Sequence, residues 1–177
     1  PEVFASECAF PRFHDRAIEL GLDAVGMLGG SITEDFDRDG DIDIVVSAWG
    51  LKDQIRYFRN NGNGSFEDKT VEAGLVAITS GINLIHADYD NDGLADIGVE
   101  PRLGSNDDCF HLLKNLGGAV FVDIAPYSAL IDQQLCGANS ETLCWGDVDG
   151  DGRDEVGVGL GVGGEDYGSE ERRAGTE

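Results

Sequence analysis

Basic residues are scarce: 12 Lys and Arg stand against 35 Asp and Glu, a formal charge of −23 over 177 residues. A surface that acidic repels phosphate backbones and anionic lipid heads, which argues against nucleic-acid and membrane-surface partners. Long apolar runs are missing too. None approaches the ~20 residues of a membrane span, so no membrane insertion is expected. No basic-then-apolar signal peptide opens the chain, and it begins with Pro1 rather than Met; it reads as a mature protein or an excised fragment. No Ser or Cys sits in a nucleophile elbow, and His14, His86 and His111 share no spacing with a nucleophile. The three His are read as structural or surface residues, no catalytic residue is assigned, and the chain is expected not to be an enzyme. Hydrophobic residues at 41% exclude a disordered acidic tail, and 26 Gly without a G-X-Y period exclude collagen and point to many tight turns.

The acid that is present is clustered. Three nine-residue windows, DFDRDGDID (Asp35 to Asp43), DYDNDGLAD (Asp88 to Asp96) and DVDGDGRDE (Asp147 to Glu155), hold 14 of the 35 acids. Crowded carboxylates raise one another's pKa and oppose a compact state unless a cation cancels their repulsion. A solvated acidic face is the plain alternative, but the spacing repeats with Gly at one fixed place. Positions 1, 3 and 5 are Asp35, Asp37, Asp39, then Asp88, Asp90, Asp92, then Asp147, Asp149, Asp151. Position 6 is Gly40, Gly93 or Gly152, and position 9 is Asp43, Asp96 or Glu155. Alternate carboxylates around a glycine turn aim their oxygens at one centre, and the position-7 carbonyl of Asp41, Leu94 or Arg153 can join them. So many hard oxygen ligands suit calcium better than magnesium, and the windows hold no Cys or His for zinc. About three calcium ions are expected, one per window. Glu155 is longer than Asp and Asp154 stands beside it, which leaves the third ligand set open.

The loops begin like EF-hands, but position 12 is Val46, Val99 or Val158 instead of a bidentate Glu. Strand-like sequence follows each loop: Ile44-Val45-Val46, Ile97-Gly98-Val99, and the period-two run Val156 to Val162. Position 9 must therefore close each site from the start of a strand. The windows recur at intervals of 53 and 59 residues, and a second motif recurs with them. Tyr57-Phe58-Arg59-Asn60-Asn61-Gly62-Asn63-Gly64-Ser65-Phe66-Glu67-Asp68 matches residues Leu112 to Asp123 at an offset of 55, and Phe13-His14-Asp15 repeats its tail. A partly repeated element follows each: Leu20-Gly21-Leu22, Ala73-Gly74-Leu75 and Ser128-Ala129-Leu130. The unit is strand, acidic loop, strand, strand, Asn-Gly turn, strand, which reads as a propeller blade.

DxDxDGxxD with its apolar strand, followed by RNNGNGSFEDKTVEAGL, resembles the FG-GAP/VCBS repeats, most nearly the cartilage acidic protein and ASPIC/UnbV group, over about residues 10 to 162. The resemblance implies integrin-α-type β-propeller blades with one calcium in a loop of each, and an extracellular, secreted or cell-surface setting. The fold expected is all-β: a partial propeller of about two and a half to three blades. Its divisions are residues 1–30 (lead-in), 31–83 (blade 1), 84–138 (blade 2), 139–162 (partial blade 3) and 163–177 (a flexible acidic tail). Phe13-His14-Asp15 corresponds to the last strand of a preceding blade. The function expected is adhesion, glycan or protein binding, or structural assembly. Alternatives are a filament subunit joined by strand exchange between copies and, with less support, part of a carbohydrate-active enzyme. The segments Pro101 to Cys109 and Asp132 to Cys144, where the repeats differ, are the expected recognition loops.

Cys8, Cys109, Cys136 and Cys144 are an even set, and a Cys136–Cys144 disulfide closing the insertion is the favoured reading over free buried thiols. Asn63-Gly64-Ser65 has the glycosylation pattern, although a turn already accounts for it. Trp49 and Trp145 flank acidic loops and are read as core residues before sugar platforms.

Overall fold

A computed structural model of the chain describes residues 13–23, 26, 28–100, 109–125, 139–150 and 154–161. Their regular secondary structure is almost entirely β. One short helix, α1 (Ala17–Leu20), precedes β1 (Leu28–Glu34), β2 (Asp43–Ala48), β3 (Arg56–Asn60) and β4 (Phe66–Asp68). The second set is β5 (Asn83–Ala87), β6 (Asp96–Glu100), β7 (His111–Asn115) and β8 (Phe121–Asp123). The third is β9 (Asn139–Gly146) and β10 (Glu155–Gly161).

Each four-stranded set forms an antiparallel meander in chain order, and β9 pairs with β10 as a hairpin. The registers repeat: Ile44 faces Phe58 and Phe58 faces Asp68, while Ile97 faces Leu113 and Leu113 faces Asp123. In both four-stranded sheets an acidic loop joins the first two strands and a turn of the Asn-Gly motif joins the last two. The alternating burial of β2 fits a strand with one face on the core. β6 is buried throughout.

The sheets stand side by side by their first strands, β1 against β5 and β5 against β9. Small residues set that approach. A Cβ at Gly29 would lie 2.6 Å from Ser47 Oγ and collide with the Gly81 carbonyl. Ser47 Oγ in turn accepts the Gly30 N–H at 2.8 Å. Between the sheets lies one apolar cluster that includes Phe36, Tyr57, Leu75, Ile97, Leu113 and Phe121. Phe36 is wholly buried, and its ring meets Tyr57, His86 and Phe121 edge-on at 6.3, 6.1 and 5.8 Å. Burying such a ring stabilises by about 1.5–3 kcal/mol, and here it joins both sheets.

The Phe-x-Asp element ends each sheet with the same bond. Asp68 Oδ1 accepts the Thr70 N–H and Asp123 Oδ1 the Ala125 N–H, both at 3.0 Å. Asp15 Oδ1 does likewise for Ala17 at 2.9 Å, but Phe13-His14-Asp15 forms no strand and Phe13 is 97% exposed. Without a neighbouring strand the tripeptide keeps its capping role and loses its sheet role. The Ala-Gly-Leu element reaches forward: the Ala73 carbonyl accepts the N–H of Phe121 in β8 at 2.9 Å. It therefore splices one repeat to the next.

The segment Asp132 to Cys144 is not all loop, because β9 already runs from Asn139. The polar sequence Asn139-Ser140-Glu141-Thr142 masks the strand, which β10 specifies by pairing with it. Cys144 is a free, exposed thiol, so the expected Cys136–Cys144 bridge is not formed. β9 holds it in register opposite Gly157, where its Sγ lies 3.7 Å from the Gly157 carbonyl. Cys8, Cys136, residues 101–108, 126–138 and 162–177 lie outside the described residues.

Candidate metal centre in the acidic loops

The first two loops share one backbone path. Position 4 is left-handed in both, with φ 62° at Arg38 and 58° at Asn91, and position 6 follows with φ 96° at Gly40 and 87° at Gly93. A side chain at position 6 would be strained in that region, which is why Gly is fixed there. The turn makes the carboxylates accept the loop's own N–H groups. Asp35 takes Asp39 and Gly40 at 3.0 Å each, and Asp37 takes Asp39 at 3.1 Å. Asp88 takes Gly93 at 2.7 Å and Asp90 takes Asp92 at 3.2 Å.

These bonds converge the side chains. Oxygens of Asp35, Asp37 and Asp39 lie within 4.8 Å of one another, as do those of Asp88, Asp90 and Asp92. Oxygens bound to one calcium at 2.3–2.6 Å can be no farther apart than roughly 5 Å, so both triads fit that ion. An orphan atom supports the fit. Asp88 Oδ1 is buried without a hydrogen-bond partner, an arrangement that costs energy unless a cation meets the oxygen. Burial raises the Asp37 carboxyl above its usual range, with Asp39 and Asp35 adding to the rise, while Asp39's N–H and Arg59 oppose it.

Position 9 sits beneath the triads. Asp43 and Asp96 are fully buried at the start of β2 and β6. Asp43 Oδ1 accepts the Asn60 N–H at 2.8 Å and its Oδ2 the Tyr57 hydroxyl at 2.7 Å. Asp96 Oδ1 accepts the Asn115 N–H at 2.7 Å and its Oδ2 the Tyr89 N–H at 3.3 Å. Burial pushes Asp96 up to about 7 despite these bonds, and raises Asp43 likewise. The Asn side chains complete the tie: Asn60 Nδ2 donates to the Ile42 carbonyl at 3.0 Å, and Asn115 Nδ2 to the Ala95 carbonyl at 3.2 Å. The acidic loop and the Asn-Gly motif recur together because each supports the other.

Position 7 differs between the repeats. The Asp41 side chain packs on the Asn-Gly turn, where a Cβ on Gly62 would lie 2.5 Å from its Oδ2, while Leu94 N–H donates to Asp92 at 2.9 Å. In the third window Asp147 and Asp149 are exposed. Gly150 is left-handed at position 4 with φ 77°, and its N–H meets Asp147 Oδ1 at 2.7 Å. Asp151 and Arg153 lie outside the described residues, and Glu155 opens β10.

Residues 35–99 match the FG-GAP-like repeat, from the first Asp of loop 1 to Val99 of β6, and so include both triads. The match spans β2 to β6. No curated protein matches the chain.

Reading the sequence alone missed Phe36 and Lys114. Phe36 is position 2 of loop 1, and an aromatic between two acids in a polar loop carries no core signal in sequence. Lys114 belongs to the Asn-Gly motif, yet its ammonium pairs with Asp90 and, at 3.0 Å, with Asp92. The three His differ in setting. His14 is exposed, His86 lies 3.7 Å from Glu34, and buried His111 pairs with Asp123 at 2.8 Å. Asn63 accepts both the N–H and the hydroxyl of Ser65, at 3.0 and 2.7 Å, in the Asn-Gly turn. Beside loop 1 a cleft of about 180 Å³ separates Asp37, Tyr57 and Arg59 from Gly118 to Val120.

Proposed function

We propose that the chain is an extracellular, calcium-stabilised propeller-type module that binds a protein or glycan and catalyses nothing. The observation that carries the calcium reading is the buried, partnerless Asp88 Oδ1 within a converged carboxylate triad. When bound, the ion supplies positive charge and oxygen coordination. Asp35, Asp37 and Asp39 hold it in loop 1, and Asp88, Asp90 and Asp92 in loop 2, with the Asp41 and Leu94 carbonyls and Asp43 and Asp96 completing the shells. The third ion belongs to Asp147, Asp149, Asp151, Arg153 and Glu155. An extracellular setting agrees with Cys109, which takes part in a disulfide. Among the described residues no helix is long and apolar enough to cross a membrane. The cleft between the sheets offers charged groups and the half-exposed Val120 to a partner.

Calorimetry and thermal melting test the calcium reading. The metal-free protein should take up about three calcium ions, and at 100 times the dissociation constant each should add about 2.7 kcal/mol of stability. No heat of binding and an unchanged melting temperature in chelator would overturn it. A glycan array run beside a hydrolase screen separates binding from catalysis.

Phe13 favours a second reading, assembly by strand exchange. It is 97% exposed, whereas Phe121 at the matching place is buried in β8. In that reading Phe13-His14-Asp15 joins a sheet edge of another copy, giving a ring or filament. Light scattering that finds a monomer, unchanged by Phe13→Ala, would exclude it.

A further inference from the structure

The two loops are built alike but charged differently. Loop 1 holds five acids, Asp35, Asp37, Asp39, Asp41 and Asp43; loop 2 holds four, Asp88, Asp90, Asp92 and Asp96. Loop 2 also has a cation of its own. The Lys114 ammonium bridges Asp90 and Asp92, two members of its triad. The corresponding residue in the first repeat, 55 positions earlier, is Arg59. Among the described residues no ion pair joins Arg59 to loop 1; its Nη2 reaches Asn61 at 3.4 Å instead. Arg38 deepens the asymmetry. It belongs to loop 1 in sequence, but its guanidinium lies over loop 2, where a Cβ on Gly93 would come within 2.7 Å of it.

We propose that Lys114 is a built-in competitor for calcium at loop 2, so that loop 1 fills first and loop 2 only at higher calcium, with Lys114 displaced from Asp90 and Asp92. A divalent ion and an ammonium cannot share the same carboxylate oxygens at close range, because their charges repel and each needs the same lone pairs. The calcium that enters loop 2 must therefore break two charge-assisted bonds that loop 1 never forms. Those bonds have a use in the metal-free protein. They offset part of the triad's negative charge, which helps the second sheet stay folded when calcium is low, whereas among the described residues no ion pair relieves loop 1. The chain is thereby a graded binder: one tight site that holds the repeat together and one weaker site that responds to ambient calcium. Arg38 links them, because it leaves loop 1 and lends its charge to loop 2.

This inference rests on the calcium reading above, and its test separates the two. Calcium is titrated into the intact, metal-stripped protein by calorimetry, and Asp37→Ala and Asp90→Ala assign each heat to its loop. Loop 1 should be the tighter site. Lys114→Met should strengthen binding at loop 2 about tenfold, the scale of a charge-assisted hydrogen bond, and leave loop 1 unchanged within about twofold. Lys114→Arg should keep the original order. In chelator, Lys114→Met should melt below the parent protein and recover in calcium, a readout that also shows the variant folds. Equal affinities at the two loops, or a loop 2 affinity indifferent to Lys114→Met, would overturn the inference and leave the calcium reading standing. Failure of both loops to bind calcium would remove both readings, and failure of loop 1 alone would overturn the inference.

Discussion

The backbone N–H of Asn115 donates to Oδ1 of Asp96 at 2.7 Å, and Asn60 makes the same bond to Asp43 at 2.8 Å in the preceding repeat. The acceptor opens the second strand of its sheet, and the donor closes the third. The bond thus locks the end of the hairpin that carries the acidic loop. It also explains why an acid is required at position 9 even before any ion is considered.

Asp43→Ala should destabilise the fold by about 2–3 kcal/mol, because it strands the Asn60 N–H and the Tyr57 hydroxyl in a buried site. Tyr57→Phe removes only the second bond and should cost about 1–2 kcal/mol. Urea unfolding in chelator measures both without contribution from calcium. A Tyr57→Phe loss as large as that of Asp43→Ala would show that the hydroxyl, and not the Asn60 bond, anchors Asp43.

Phe36→Ala should cost about 3–5 kcal/mol, the range for emptying a packed aromatic site. Since the ring touches Tyr57 of the first sheet and Phe121 of the second, the loss should weaken both sheets. Amide exchange is the direct measure. Faster exchange in β2 and β3 with β6 and β7 unchanged would contradict the bridging role.

Gly29→Ala should fail to fold or melt far below the parent, since the new methyl meets the Gly81 carbonyl in the segment leading into β5. Backbone cannot yield as a flexible side chain can. Circular dichroism melting settles the matter, and a variant that melts with the parent would mean that β1 and β5 can separate cheaply.

Asp68 predicts a pH dependence. Burial raises its carboxyl, but the Thr70 hydroxyl and N–H and the Arg56 guanidinium, 2.8 Å away, outweigh burial and hold it below the usual range. A carboxyl lowered in the folded state stabilises at pH above its unfolded value, about 3.9. That contribution disappears as pH falls through the lower folded value. Asp68→Asn should therefore lose stability at pH 6 and converge with the parent near pH 2–3. Parallel stability curves over that range would refute the assignment.

Much of this protein was legible in its residues. Asp at positions 1, 3 and 5 with Gly at 6 leaves a short chain few ways to arrange itself, because each carboxylate caps an N–H two to five residues on. The loops' geometry and the order of strands around them follow from such local bonds. Partnership across the repeats does not. Phe36 is a core residue because a second sheet stands beside its loop, and Lys114 reaches Asp90 across 24 residues because β7 lies beside β6. Phe13 matches Phe66 in sequence but forms no strand, since a strand needs hydrogen-bonding neighbours that its own residues do not supply. Cys144, eight residues from Cys136, stays a free thiol because its place in β9 is decided by the ladder to β10, not by spacing. Short-range hydrogen bonds are written into the order of the amino acids, whereas the sharing of rings and charges between sheets depends on which surfaces the folded chain brings together.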